Sequence, residues 1–190
     1  TDNDLFLATS ELDSMSGLRN TALATLFAGC PIVIPNLSVS NKVFSIVESI
    51  RNQQITLLST TPALLKQFVQ LGEGIKQDIS SLKTVICTGA ILTKPLIEEF
   101  YRLFQIKILN YYGLTETSGI CLANTPDTPL EKLDSLGQSV AGITQLVNEM
   151  GAVSEEGEFR VYGENVASTY AFGKPIEGGK EDFRLENGWL

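Results

Sequence analysis

The sequence predicts an α/β fold: a mainly parallel sheet with helices on both faces, followed by part of a β-rich, barrel-like subdomain. Two observations carry this. Over the first two thirds of the chain, short apolar runs alternate with segments of helical periodicity, and the connections are short, which is the pattern of βαβ units. After about Thr125, strand-like runs are separated instead by Gly-rich and acidic turns, the pattern of an antiparallel or barrel-like arrangement. The expected division is an α/β portion over 1–126 and an incomplete β-rich portion over 127–190.

Taken in order, Asp4 to Thr9 reads as a short strand and Met15 to Phe27 as a buried helix stopped by Gly29 and Pro31. Pro31 to Pro35 holds Ile-Val-Ile, a run suited to an interior strand. Val43, Phe44, Ile46, Val47 and Ile50 fall on one helical stripe, with Ser40 or Asn41 as the N-cap. Ile55 to Ser59 is the next strand. Thr61-Pro62 places a capping residue before a proline at the first helical position, and Ala63 to Leu71 continues that helix. Thr84 to Cys87 is a strand, Pro95 opens a helix through Phe104, and Ile106 to Leu109 is the last strand of the series. Asp127 to Ser135 is polar. Gly142 to Val147 and Gly157 to Tyr162 read as strands, and Lys174 to Glu181 as a turn-rich connection.

Composition narrows the function. The 190 residues are 43% hydrophobic and 19% charged, as in a globular protein with a sizeable core. The net charge is -8 and no basic cluster is present, which argues against nucleic acid as a partner. The most apolar stretch, Ala22 to Pro35, is broken by Gly29 and Pro31 and is too short to span a bilayer, so no transmembrane segment is expected. Cys30, Cys87 and Cys121 lie far apart without CxxC spacing and read as reduced thiols of a cytoplasmic protein. The chain has no histidine, which removes Ser-His-Asp and Cys-His nucleophile systems and the usual zinc sites. No GxGxxG follows any strand, and no Walker A sequence is present. The chain opens on Thr1-Asp2-Asn3-Asp4 without a signal peptide, as expected of a piece of a longer protein.

In parallel sheets, ligands gather at the carboxyl ends of strands. Thr88-Gly89-Ala90 and Asn110 to Glu116 both follow strands. The second segment, Asn110-Tyr111-Tyr112-Gly113-Leu114-Thr115-Glu116, sets a flat aromatic ring beside open glycine backbone, then a hydroxyl, then a carboxylate. Those groups suit a stacked base, a phosphate oxygen and Mg²⁺, a cation that prefers oxygen ligands and phosphates. The plainer account of the same residues is a strand-ending turn in which Thr115 caps a helix and Glu116 sits in its first turn.

The segment resembles the Asn-x-Tyr-Gly-x-Thr-Glu motif of the adenylate-forming superfamily, which comprises acyl-CoA synthetases, luciferases and the adenylation domains of nonribosomal peptide synthetases. Every specified position matches. Other segments resemble the family in the same order. They are the Ala28-Gly29 turn before its apolar strand, Ile55-Thr56 to Pro62, and Ser81-Leu82-Lys83 to Gly89-Ala90. Gly137 to Gly142 and Gly157-Glu158 through Gly163-Glu164-Asn165-Val166-Ala167 to Tyr170 follow, and then Asn187-Gly188-Trp189-Leu190.

The resemblance implies that Tyr112 stacks on adenine, that Thr115 contacts the α-phosphate, and that Glu116 ligates Mg²⁺. It implies that Gly89, Ala90 and Ile91 border the adenine, and that Gly113 and Leu114 form part of the wall between acyl group and phosphate. Met15 to Leu18, Ile86, Thr88, Tyr111, Gly119 and Ile120 would border the acyl group, with Tyr111 also near the nucleotide. Ser14 stands where acyl-CoA synthetases commonly carry a histidine. Asp13 is either a substrate-amine anchor, as in peptide-synthetase domains, or a helix N-cap.

The implied parent is an ATP- and Mg²⁺-dependent ligase that converts a small carboxylic acid to acyl-AMP and then to a thioester of coenzyme A or of phosphopantetheine on a carrier protein. The rival readings are an amino-acid-activating domain of a peptide synthetase and a non-catalytic nucleotide- or acyl-binding module. The family's phosphate loop, ribose-binding aspartate and small C-terminal domain have no counterpart in these 190 residues, so the piece alone is expected not to turn over.

Overall fold

The computed structural model describes residues 4–35, 42–167 and 189–190. Contacts divide the chain into two compact units: Thr1–Tyr111 with Asn124–Gly137, and Tyr112–Ala123 with Gln138–Leu190.

Among the described residues the first unit holds five parallel strands in the order β2-β1-β3-β4-β5. They are β1 (Phe6–Leu7), β2 (Ile32–Val33), β3 (Leu57–Thr60), β4 (Thr84–Cys87) and β5 (Ile108–Tyr112), whose last residue begins the second unit. Phe6 pairs with Ile32 on one side and Leu57 on the other; Leu57 pairs with Thr84, and Val85 with Ile108. Short β-branched and leucine-rich runs of this kind suit a sheet covered on both faces. The mainly parallel α/β arrangement matches the sequence expectation.

Three amphipathic helices supply the main cover: α2 (Lys42–Gln53), α3 (Pro62–Leu71) and α4 (Lys94–Phe104). Thr61 and Thr93 are extended and lead into helices that carry proline at their start, as anticipated for Thr61-Pro62, although neither threonine side chain makes a cap hydrogen bond. α4 buries Leu96, Ile97, Phe100, Leu103 and Phe104. The Phe100 ring lies 6.5 Å from Phe68 of α3 and 4.9 Å from Phe104. Burying each such side chain contributes about 1.5–3 kcal/mol. Phe44, expected on the buried stripe of α2, is 54% exposed; Ile46, Val47 and Ile50 alone are buried there. The expected caps Ser40 and Asn41 lie outside the described residues, as do Lys174 to Glu181, Tyr170 and Asn187-Gly188.

The segment read as a buried helix differs most. It is a π-helical stretch, Gly17–Ala24, running on as α1 (Thr25–Ala28) and ended by Gly29 in the left-handed region. Only Gly17, Thr21 and Thr25 are buried, one turn apart on a narrow stripe, while Leu26 is 74% and Phe27 96% exposed. The right-handed crossover from β1 to β2 runs opposite to the later ones and so puts this helix on the other face of the sheet from α2, α3 and α4. With no other described helix beside it there, its leucines find no neighbour. β2 likewise takes the outer position among the described strands rather than an interior one, and Ile34 is 71% exposed.

Among the described residues the second unit holds two antiparallel pairs: β6 (Leu122–Ala123) with β7 (Gln138–Ser139), and β8 (Ile143–Val147) with β9 (Glu158–Tyr162). Cys121, Leu122 and Val161 form its small core with Tyr112, Phe159 and Val166.

Candidate functional site

The sequence placed Asn110 to Glu116 after a strand ending at Leu109. The strand instead runs from Ile108 through Tyr112, because Asn110 still pairs with Cys87 of β4. Asn110 is 4% exposed, and its side-chain amide donates to the Ser135 carbonyl at 3.1 Å. Its work is structural: it ties the 124–137 return to the sheet.

Beyond β5 the chain closes a tight loop within the second unit. The Tyr112 ring meets Phe159 edge to face at 5.8 Å and remains partly exposed. Burial pushes the Tyr112 phenol up from its ordinary value, with the Cys121 thiol adding to the shift. Gly113 follows, and a Cβ there would stand 1.3 Å from the Gly119 carbonyl oxygen and 2.7 Å from Ile120 Cα. No side chain fits, so glycine is required by close backbone approach rather than by an unusual φ.

Thr115–Thr117 form one 3₁₀ turn. Thr115, expected as a possible cap, is an exposed member of the turn, and the capping falls to Thr117. The Thr117 hydroxyl accepts from the Leu114 N–H at 2.9 Å and donates to the Leu114 carbonyl at 3.1 Å, reaching back in the manner of a capping box. It is 1% exposed. Ser118 and Gly119 then take positive φ and return the chain to Cys121, whose N–H donates to the Tyr112 carbonyl at 2.9 Å. Thr115 and Glu116 thus stand side by side on a turn pinned from beneath, Thr115 exposed and Glu116 partly buried. From the other side the Ala167 N–H donates to the Glu116 carbonyl at 2.8 Å.

A hydroxyl beside a single carboxylate suits a metal shared with phosphate. Among the described residues no group of three or more acidic, Cys or His side chains could hold a metal. A single carboxylate beside a hydroxyl is the kind of donor set that suits Mg²⁺, which keeps waters and substrate oxygens around one or two carboxylates.

In the first unit, Thr88 continues the β4 ladder by donating its N–H to the Thr60 carbonyl at 3.1 Å. Gly89 turns the chain at φ +86, and Gly89, Ala90 and Ile91 are all exposed. Ser14 has a definite local role: its hydroxyl oxygen accepts from the Gly17 N–H at 3.0 Å and its carbonyl from Leu18 at 2.9 Å, so it is the N-cap, and Asp13, expected as a cap, is not.

One polar cluster escaped the sequence reading. Tyr111 is 7% exposed and its hydroxyl meets the Asn20 side-chain amide at 2.7 Å and the Ser16 hydroxyl at 3.2 Å. Asn20 also reaches the Ser59 hydroxyl at 3.3 Å. Ser16 lies within the expected stretch Met15 to Leu18, but Asn20, Ser59 and Arg19 were not anticipated. The available signal was the Ser16-x-x-x-Asn20 spacing, one helical turn, within an otherwise apolar run.

The sequence model of the family described as AMP-binding enzyme matches residues 1–171. A 2-succinylbenzoate–CoA ligase of Bacillus velezensis is 29% identical over 173 residues, which is 90% of this chain and 34% of that protein. The solved O-succinylbenzoate coenzyme A synthetase of Bacillus subtilis in complex with AMP aligns at a TM-score of 0.78 and 26% identity, covering 100% of this chain and 38% of that one. The same enzyme in complex with ATP and magnesium ion aligns at 0.77 and 25%, with the same coverage. The chain spans about a third of the length of the curated relatives it matches.

Proposed function

The chain belongs to the AMP-binding enzyme family, and on that premise we propose that it forms part of an ATP-dependent acid–thiol ligase. The parent joins a small carboxylic acid to AMP with release of pyrophosphate, then passes the acyl group to a thiol, either coenzyme A or the pantetheine of a carrier protein. A cytoplasmic setting accords with three free cysteines, and no helix among the described residues is long and apolar enough to cross a membrane.

The observation that carries this reading is the Thr115–Thr117 turn, anchored by the buried Thr117 and presenting Thr115 and Glu116 together. In the second unit, Tyr112 stacks on the base, and Gly113 and Leu114 separate acyl group from phosphate. Thr115 orients the α-phosphate by a hydrogen bond, Glu116 holds Mg²⁺, and Gly119 and Ile120 border the acid. In the first unit, the backbone of Gly89, Ala90 and Ile91 lies along the base, and Ser14, Thr88 and Tyr111 border the acid. Bound Mg²⁺ supplies charge neutralisation on the phosphates. The side chains contribute position and hydrogen bonds rather than a nucleophile, which a histidine-free chain can do.

Carboxylate-dependent ATP–pyrophosphate exchange by the full-length protein tests this. Exchange abolished by Glu116→Ala is the expected result. A folded protein that binds ATP and exchanges with no acid would overturn it in favour of a non-catalytic binding module.

A further inference from the structure

In the sheet order β2-β1-β3-β4-β5 the chain reverses direction between β1 and β3: the first connection leads outward to β2, and all later ones lead the other way. Open α/β sheets receive ligands outside the carboxyl ends of their strands at such a switch point. Here those ends carry Thr9 and Ser59, joined by a hydrogen bond from the Thr9 hydroxyl to the Ser59 carbonyl. Asn20 extends the cluster from Ser59 to Tyr111 and Ser16.

Arg19 stands next to this cluster with its guanidinium over the Tyr111 ring, 5.6 Å from the centroid. It is partly buried, and among the described residues it donates to no protein acceptor and pairs with no carboxylate. Burial lowers its pKa, the direction of an incompletely compensated charge. A guanidinium has five donors and no acceptor, and taking it partly out of water without an anion is unfavourable. The hydroxyls and amide around it are neutral and engage one another. The missing complement is an anion, and an alkyl chain beside it would only remove more water.

Resting on the reading above that the parent activates a carboxylic acid, we infer that Arg19, beside the Ser16–Asn20–Tyr111 cluster, recognises a second anionic group on that acid. The substrate class is a dicarboxylic acid rather than an unsubstituted fatty acid. Arg19 sets specificity, and the carboxylate it holds is not the one that is adenylated.

The test is ATP–pyrophosphate exchange by the full-length protein with matched pairs: butyrate and succinate, hexanoate and adipate, benzoate and isophthalate. In at least one pair the diacid is expected to be preferred in kcat/KM by roughly ten- to a hundredfold. Arg19→Gln lowers the diacid rate by that factor, mainly through KM, and the monoacid rate far less; Arg19→Lys restores part of the preference. A wild-type protein that prefers the monoacid in every pair overturns the inference while leaving the ligase reading intact, and needs no variant to fold. Equal loss on both members in Arg19→Gln also overturns it, assigning the guanidinium to the reacting carboxylate or the nucleotide. Exchange with no acid at all removes the ligase reading and this inference together.

Discussion

The Asn165 side-chain amide donates to the Thr117 carbonyl oxygen across 3.3 Å, and the Asn165 carbonyl accepts from the Ser118 hydroxyl at 2.8 Å. With the Ala167 N–H on Glu116, residues 165–167 strap the turn that carries the proposed phosphate and metal ligands. Asn165→Ala removes a hydrogen bond contributing about 1 kcal/mol. It is expected to raise the KM for ATP by roughly fivefold while lowering the melting temperature by no more than about 4 °C. Asn165→Asp, which keeps the size but cannot donate, should behave alike. An unchanged ATP KM in both variants would show that the strap does not set the turn.

Thr117→Val replaces a buried hydroxyl that serves the Leu114 amide and carbonyl. The Leu114 carbonyl keeps the Thr117 and Gly119 N–H groups, but leaving the Leu114 amide unpaired costs about 1–3 kcal/mol, readable as a lower urea midpoint. Thr117→Ser keeps the hydroxyl and should recover most of it.

Glu116→Ala removes the proposed metal ligand. Adenylation is expected to fall by roughly two to three decades, on the order of 2–4 kcal/mol in transition-state stabilisation. Pyrophosphate exchange at saturating acid is the measurement, and near-normal exchange would sink the assignment.

Gly113→Ala sets a methyl against the Gly119 carbonyl and must displace backbone, whereas Gly74→Ala meets nothing within 4 Å. The first is expected to destabilise by several kcal/mol or prevent folding, by the cost of overpacking. The second should lie within about 1 kcal/mol of wild type. Thermal melts of the pair check this.

Burial pushes the Cys87 thiol from its ordinary 9.0 up to about 12. The folded state therefore holds the proton more tightly than the unfolded state, so this contribution to stability is fully present below pH 9.0 and is lost as pH rises from there towards about 12. Urea titrations between those limits should show a shallower decline for Cys87→Ala than for wild type. At pH 8, iodoacetamide should modify the partly exposed Cys30 well before Cys87.

Strand β4 was legible to the residue, because Thr84 to Cys87 is apolar, β-branched and bounded by polar turns. α3 was legible through its Thr61-Pro62 start and α4 through Pro95, a proline in the first turn. β5 was placed two residues early at its start and three at its end: Asn110, Tyr111 and Tyr112 look like turn residues, and only the pairing of Asn110 with Cys87 shows that the ladder continues. Phe44 and the leucines of the first helix read as core from their types alone. Whether a neighbour covers an apolar face is decided by which side of the sheet a crossover takes, and periodicity does not carry that information.

The sequence by itself determined the α/β class, the strand–helix order and the motif holding Tyr112, Thr115 and Glu116, since each is written in local residue types and spacing. The tertiary structure alone decided that Thr117 and Asn165 hold that motif, and that Gly113 admits no side chain. It also decided that Arg19 and Asn20 meet Tyr111, more than 90 residues away. Such contacts arise when strands distant along the chain are aligned by backbone hydrogen bonds, so no local stretch of sequence encodes them.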